Sequence, residues 1–236
     1  MVLATYSDNA APDAIIRSPL LMSWSGGKDS CMALREIMLA STCEVAALIT
    51  TITEDYDRIS MHGTRRSLLE RQAASLGLRL HKVSIPKSAT NEEYETRMAQ
   101  ALVGYRKLGI DTIGFGDLFL EDIRLYRERF LSRFNMKGMF PVWHRNTTEF
   151  LKDFIDLGFK AVVTCVTADL LDKSFAGRLI DGEFLQSLPH GVDPCGENGE
   201  FHTFVFDGPL FRQPVRFRFG ETVLRESFWF RDLVPE

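Results

Sequence analysis

The sequence predicts an α/β protein: a mainly parallel sheet with helices on both faces, followed by a smaller C-terminal α+β domain. Three observations predict it. Short apolar, β-rich runs alternate with stretches of helical period through the first half of the chain, the arrangement of successive βαβ units. About five such runs alternate with helices, which implies a mainly parallel sheet covered on both faces. The last third changes to apolar–polar alternation, the period of antiparallel strands with one wet face.

In chain order, residues 1–19 are rich in Ala, Ser, Asp and Asn without a sustained period, and are expected to be a flexible extension. Residues 20–24 form a strand, 30–40 a helix and 45–52 a second strand, which completes one βαβ unit. A helix over 65–76, a strand over 78–85, a helix over 91–107, a strand over 112–115 and a helix over 121–134 continue the pattern. The first domain is therefore placed at 20–134 and the second at 135–236. In the second, 140–143 leads into a helix capped by Asn146 or Thr147, because a short polar side chain there can take an orphan N–H. Residues 160–167 read as a buried strand, 168–194 as short elements, and 201–206 and 215–230 as antiparallel strands.

With 45% hydrophobic and 25% charged residues over 236 positions, the chain can bury a core without disulfides. Its net charge of −4 argues against nucleic acid as partner, since such proteins carry a basic excess. Cys31, Cys43, Cys165 and Cys195 form neither a CxxC pair nor a zinc spacing, which suits a reducing compartment. No basic-then-apolar leader is present, and no uncharged run nears the roughly 20 residues of a membrane span. A soluble, cytoplasmic protein with no membrane partner is expected. The aromatic tail, Phe217, Phe219, Phe228, Trp229 and Phe230, fits core or a homodimer interface.

The most informative stretch is Ser25-Gly26-Gly27-Lys28-Asp29-Ser30, set between an apolar strand and a helix. Two glycines let the backbone turn sharply and expose its N–H groups, the helix start adds donors and a positive dipole end, and Lys28 adds a full charge. Such a cup fits a phosphate chain; the bland alternative is a tight turn with Asp29 or Ser30 capping the helix. It is not a Walker A loop, and Gly114-Phe115-Gly116-Asp117 is not a dinucleotide fingerprint. At these residues the chain resembles the PP-loop ATP pyrophosphatases of the adenine nucleotide α-hydrolase-like superfamily, whose loop reads SGGKDS. The resemblance implies a HUP-type, Rossmann-like fold, an ATP-binding first domain, and attack at the α-phosphorus that releases pyrophosphate.

Further segments resemble the diphthine–ammonia ligase family within that superfamily. They are Met61-His62-Gly63, Gln72-Ala73 before Leu76-Gly77, Gly114-Phe115-Gly116-Asp117 followed by Glu121-Asp122-Ile123-Arg124, Phe140-Pro141-Val142-Trp143, and Cys195-Gly196-Glu197-Asn198-Gly199-Glu200-Phe201-His202-Thr203. This resemblance implies ATP, Mg²⁺ and ammonium as reactants, with a carboxylate acceptor bound by the second domain: diphthine on a translation elongation factor. Archaeal and eukaryotic members tend to read GGE[FY]ET where this chain has Asn198 to Thr203, and bacterial-type relatives with this version leave another acceptor open. His62, Gly116, Asp117 and Arg124 are the implied nucleotide contacts besides the loop.

The chemistry assigns roles to the remaining residues. A carboxylate does not react with ammonia until its oxygen is made a leaving group, which adenylation does. Lys28 and the loop N–H groups would neutralise charge growing on pyrophosphate. Asp29 is a Mg²⁺ ligand or a loop brace. Asp117, just past a strand end, meets ribose or metal or else caps the next helix. Glu197, Glu200 and His202 together suggest an acceptor or ammonia site with a carboxylate to take a proton; the plain reading is a solvated acidic turn. Arg124, Arg127, Arg129 and Arg133 interleave with acids as a salt-bridged face. Cys195 as nucleophile lacks a partner cysteine. A PP-loop tRNA-modifying enzyme is disfavoured by acidity and the missing CxxC, and a nucleotide sensor by the acidic C-terminal block.

Overall fold

The computed structural model describes residues 17–59 and 63–236. β1 (Ser18–Ser23) enters α1 (Lys28–Ala40) through the glycine loop, and the chain returns along β2 (Cys43–Thr53). A two-residue strand, β3 (Arg58–Ile59), precedes α2 (Arg66–Leu76), β4 (Leu80–Ile85), α3 (Asn91–Lys107), β5 (Thr112–Gly114), α4 (Glu121–Ser132) and β6 (Lys137–Met139). Local chemistry sets the limits of these elements. Thr90 and Glu93 form a reciprocal capping box at the start of α3, and Gly77 (φ 71°) ends α2 by donating its N–H to the Ala73 and Ala74 carbonyls.

Five strands lie parallel in the order β4-β2-β1-β5-β6, with β3 antiparallel at the end of β2. The connections reverse direction between β1 and β5. That is the switch point where an open α/β sheet forms a crevice beyond its strand ends. Side chains alternate across the sheet. Leu20, Met22 and Leu48 join α1, α2 and the later helix residues Phe150 and Phe154 in one cluster, while Leu21, Ala47 and Ile49 pack with Leu102 of α3 and Phe130 and Leu131 of α4.

α5 (Thr147–Asp156), β7 (Lys160–Thr167), α6 (Gly182–Ser187), β8 (Phe201–Asp207), β9 (Phe217–Arg225) and β10 (Phe228–Pro235) follow. Asn146 caps α5 by accepting the Glu149 N–H at 3.0 Å, as its residue type predicted. The second sheet is antiparallel in the order β8-β7-β10-β9. One face shares the core of the first sheet, as Ala161, Val163, Phe201 and Val205 enter the cluster beneath α1 and α2, while Val162, Phe204, Val215 and Leu233 form a smaller cluster with Leu68 on the other.

Several expectations are corrected. β1 starts at Ser18, inside the extension expected over 1–19, of which 1–16 lie outside the described residues. β6 pairs in parallel with β5, so the first sheet ends with the strand Lys137–Met139. α1 begins at Lys28, two residues before the expected start, because glycine rather than Asp29 or Ser30 holds its N-cap position. β3 and β6 are too short to show a period, and their pairing comes from the sheet edge rather than from their own residues.

Candidate active site

The glycine loop sits at the switch point, between the end of β1 and α1. Gly26 takes φ 78°, and a Cβ there would stand 2.6 Å from Leu69 and 2.7 Å from Gln72, so both backbone and packing require glycine. Gly27 leaves α1 without a side-chain cap of its own. Its N–H donates to Ser25 Oγ at 3.2 Å, and the Ser25 and Ser30 hydroxyls lie 3.1 Å apart. Ser30 donates back to the Gly27 carbonyl at 3.0 Å. Gly116, from the loop after β5, rests on the first turn of α1: a Cβ there would lie 2.7 Å from Ser30 N.

Lys28 differs from its expected orientation. It is 1% exposed, and its ammonium donates to the Cys195 carbonyl and, at 3.0 Å, to Asp29 Oδ2, lying 5.2 Å from the centre of the Phe201 ring. A buried ammonium needs such partners. Burial alone would lower its pKa, but Asp29, with Cys195 and Glu197, more than offsets this and raises it. Lys28 therefore ties α1 to the turn that carries Glu197. The Lys28 N–H adds a second tie by donating to Thr203 Oγ1 at 3.1 Å.

Glu197 closes the crevice from the other side. Its Oε1 accepts the Leu118 N–H at 2.8 Å, which pins the turn to the loop after β5. Burial, then the charge of Asp29, pushes its carboxyl up to about 7, against the Leu118 hydrogen bond. Asp29 and Asp117 both act on it electrostatically. Asp29 Oδ1 is buried with no hydrogen-bond partner. Among the described residues no three His, Cys, Asp or Glu side chains form a ready metal site. The open Asp29 oxygen nevertheless suits Mg²⁺, which typically takes one or two carboxylates and completes its shell with phosphate and water.

The other expected site residues part company. Asp117 does not cap α4: Arg127 donates Nη2–H to its Oδ1 at 2.9 Å and forms an ion pair with its Oδ2, which accepts no hydrogen bond, while lying 4.5 Å from the Phe115 ring. Arg124 pairs with Glu128 at 2.9 Å and stacks on Phe140 and Trp143. Glu200, 3% exposed, turns into its own loop, accepting from Asp193 N at 3.0 Å and Asn198 Nδ2 at 3.1 Å. Alternation along β8 sends Phe201, Thr203 and Val205 toward the glycine loop and His202 to the opposite face, with Phe204. Burial, then Lys28, lowers the His202 imidazole to about 4, so it is neutral at pH 7. Burial pushes the Cys195 thiol up, and it donates to Thr147 O at 3.2 Å, a structural rather than nucleophilic setting. His62 lies outside the described residues.

Thr203 and Gln72 were quoted in motifs but given no role by the sequence, and the structure gives them contacts to the loop. The signal for Gln72 was a buried-face position on an amphipathic helix filled by an amide, a residue that must find hydrogen bonds there.

A model of the diphthamide synthase N-terminal domain matches residues 19–138, and a model of the diphthamide synthase C-terminal domain matches residues 146–233. Among curated proteins, the chain is similar to the diphthine–ammonia ligase of Danio rerio, 26% identical over 223 residues that cover 86% of this chain and 88% of that protein. The diphthine–ammonia ligases of Mus musculus and Homo sapiens are each 24% identical over 225 residues, covering 86% of this chain and 84% of theirs.

Proposed function

The chain belongs to the diphthamide synthase family, and from that premise we propose that it is an ATP-dependent amide ligase that adenylates the carboxylate of diphthine and transfers ammonia to it. One observation carries the reading. A carboxyl poised near neutrality, Glu197, is hydrogen-bonded into the same crevice as a glycine loop and an uncapped helix start.

The loop N–H groups and the α1 dipole receive the phosphate chain of ATP. Mg²⁺, held by Asp29, would screen the phosphate charge. The acceptor carboxylate oxygen attacks the α-phosphorus, and the bond to pyrophosphate breaks. Ammonia then attacks the acyl carbon, and AMP leaves with the carboxylate oxygen. Ammonium must first lose a proton, and Glu197 is placed to take it, because a base works best near the operating pH. A cleft of about 620 Å³ between α5 and α6 ends at Pro194, one residue from Cys195, and offers the acceptor an approach to this turn. Four unpaired cysteines suit the reducing cytoplasm.

The test is product analysis. With Mg²⁺, ¹⁵N-ammonium and an elongation factor bearing diphthine, AMP and pyrophosphate should appear in equal amounts with one labelled amide. ADP as product would overturn the reading, as would AMP release indifferent to ammonium.

A further inference from the structure

We propose that Gln72, on α2 and outside the loop itself, is the positioning residue that turns the glycine loop toward an anion. This rests on the reading of the loop as a phosphate site. Gln72 is fully buried. Its Oε1 accepts the Trp24 indole N–H at 3.0 Å, and its Nε2 donates to the Gly26 carbonyl at 2.9 Å and the Val205 carbonyl at 2.5 Å. Trp24 Nε1 can only donate and a carbonyl can only accept, so chemistry alone settles which way the amide faces.

The Gly26 carbonyl also accepts the Val205 N–H at 2.9 Å. With two donors on it, this oxygen is held on the α2 and β8 side. A trans peptide is planar with its N–H opposed to its C=O. Pinning the Gly26 oxygen there therefore turns the Gly27 N–H the opposite way, onto Ser25 Oγ beside the Ser30 hydroxyl. A peptide between two glycines has little steric preference of its own. Rotated the other way, it would present a carbonyl oxygen to the phosphate. Gln72 thus decides whether the loop shows a donor or an acceptor, and its link to Val205 makes that choice depend on the second sheet.

Gln72→Met keeps the length and apolar stem but neither donor, whereas Gln72→Glu in its neutral acid form keeps one. Binding of inorganic pyrophosphate and of ATP is measured by calorimetry on folded protein, with KM for ammonium alongside. Gln72→Met should weaken both ligands at least tenfold and leave the KM for ammonium unchanged, and Gln72→Glu should fall between it and wild type. Folded Gln72→Met that binds pyrophosphate as wild type does would overturn the proposal, as would ligand and ammonium constants that shift together. If Gln72→Met does not fold, Gln72→Glu carries the same comparison. Wild type that binds pyrophosphate but yields ADP would overturn the ligase reading and leave the role of Gln72 standing; wild type that binds neither ligand would overturn both.

Discussion

Three ionisable groups within six residues, Glu197, Glu200 and His202, are indistinguishable as text, and backbone geometry separates them. Gly196 at φ 66° and Gly199 at φ 90° fold the turn so that Glu197 faces the crevice, Glu200 closes the turn, and the strand period sends His202 to the far face. Glu197→Gln should lower amide formation by about 10²- to 10⁴-fold, the usual contribution of a general base, with ATP affinity little changed. The same substitution has a stability signature. The folded Glu197 carboxyl titrates near 7 against 4.5 for a free one, so its contribution is fully present below about pH 4.5 and is lost as pH rises through 7. Gln does not ionise, so the variant should match wild type in urea melts at pH 4. At pH 8 it should be the more stable, by on the order of 2–3 kcal/mol. A melt difference independent of pH would show that the carboxyl is not held in its protonated form by the fold.

At the scale of elements, the crevice is built where the loop after β5 lies on the first turn of α1. Gly116 makes that approach possible, since a Cβ would meet Asp29 and Ser30 main chain at 2.7 Å, where no flexible side chain can move aside. Gly116→Ala should therefore cost about 1–3 kcal/mol by overpacking and weaken ATP binding at least tenfold, with far-ultraviolet circular dichroism unchanged. Normal nucleotide binding by that variant would mean the two elements can part without harm to the site. The long elements of the first sheet were legible because eleven to seventeen residues display a period, as the exact match at Asn91–Lys107 shows. The strand Lys160–Thr167 is equally legible from its β-branched, mostly apolar residues. What the sequence could not show was pairing across distance. The interleaved charges of α4 do not reveal that Arg127 pairs with Asp117, nor does the glycine loop reveal that the Lys28 ammonium donates to a carbonyl 167 positions away.

At the scale of the whole molecule, the loop that defines the first sheet depends on the second. Gly26 O is held by Val205, Lys28 by Cys195 and Thr203, and Leu34, Ile37 and Leu69 pack in one cluster with Phe150, Phe154, Phe201 and Val205. A fragment ending after Met139 would expose that cluster and strip the loop of these partners. Buried Phe→Ala changes alone cost about 3–5 kcal/mol, so removing three such rings together takes about 9–15 kcal/mol, comparable to the whole 5–15 kcal/mol that a domain holds in reserve. Residues 17–139 should therefore lack a cooperative thermal transition, bind a hydrophobic dye and fail to bind ATP. The full chain should melt in one transition that rises with ATP, by about 2.7 kcal/mol at a ligand concentration one hundred times Kd. Calorimetry and near-ultraviolet circular dichroism on the two chains decide it. A fragment that folds and binds ATP would show that the first sheet shapes the phosphate cup unaided, and that the ties from β8 and the Cys195 turn serve only the second half of the reaction.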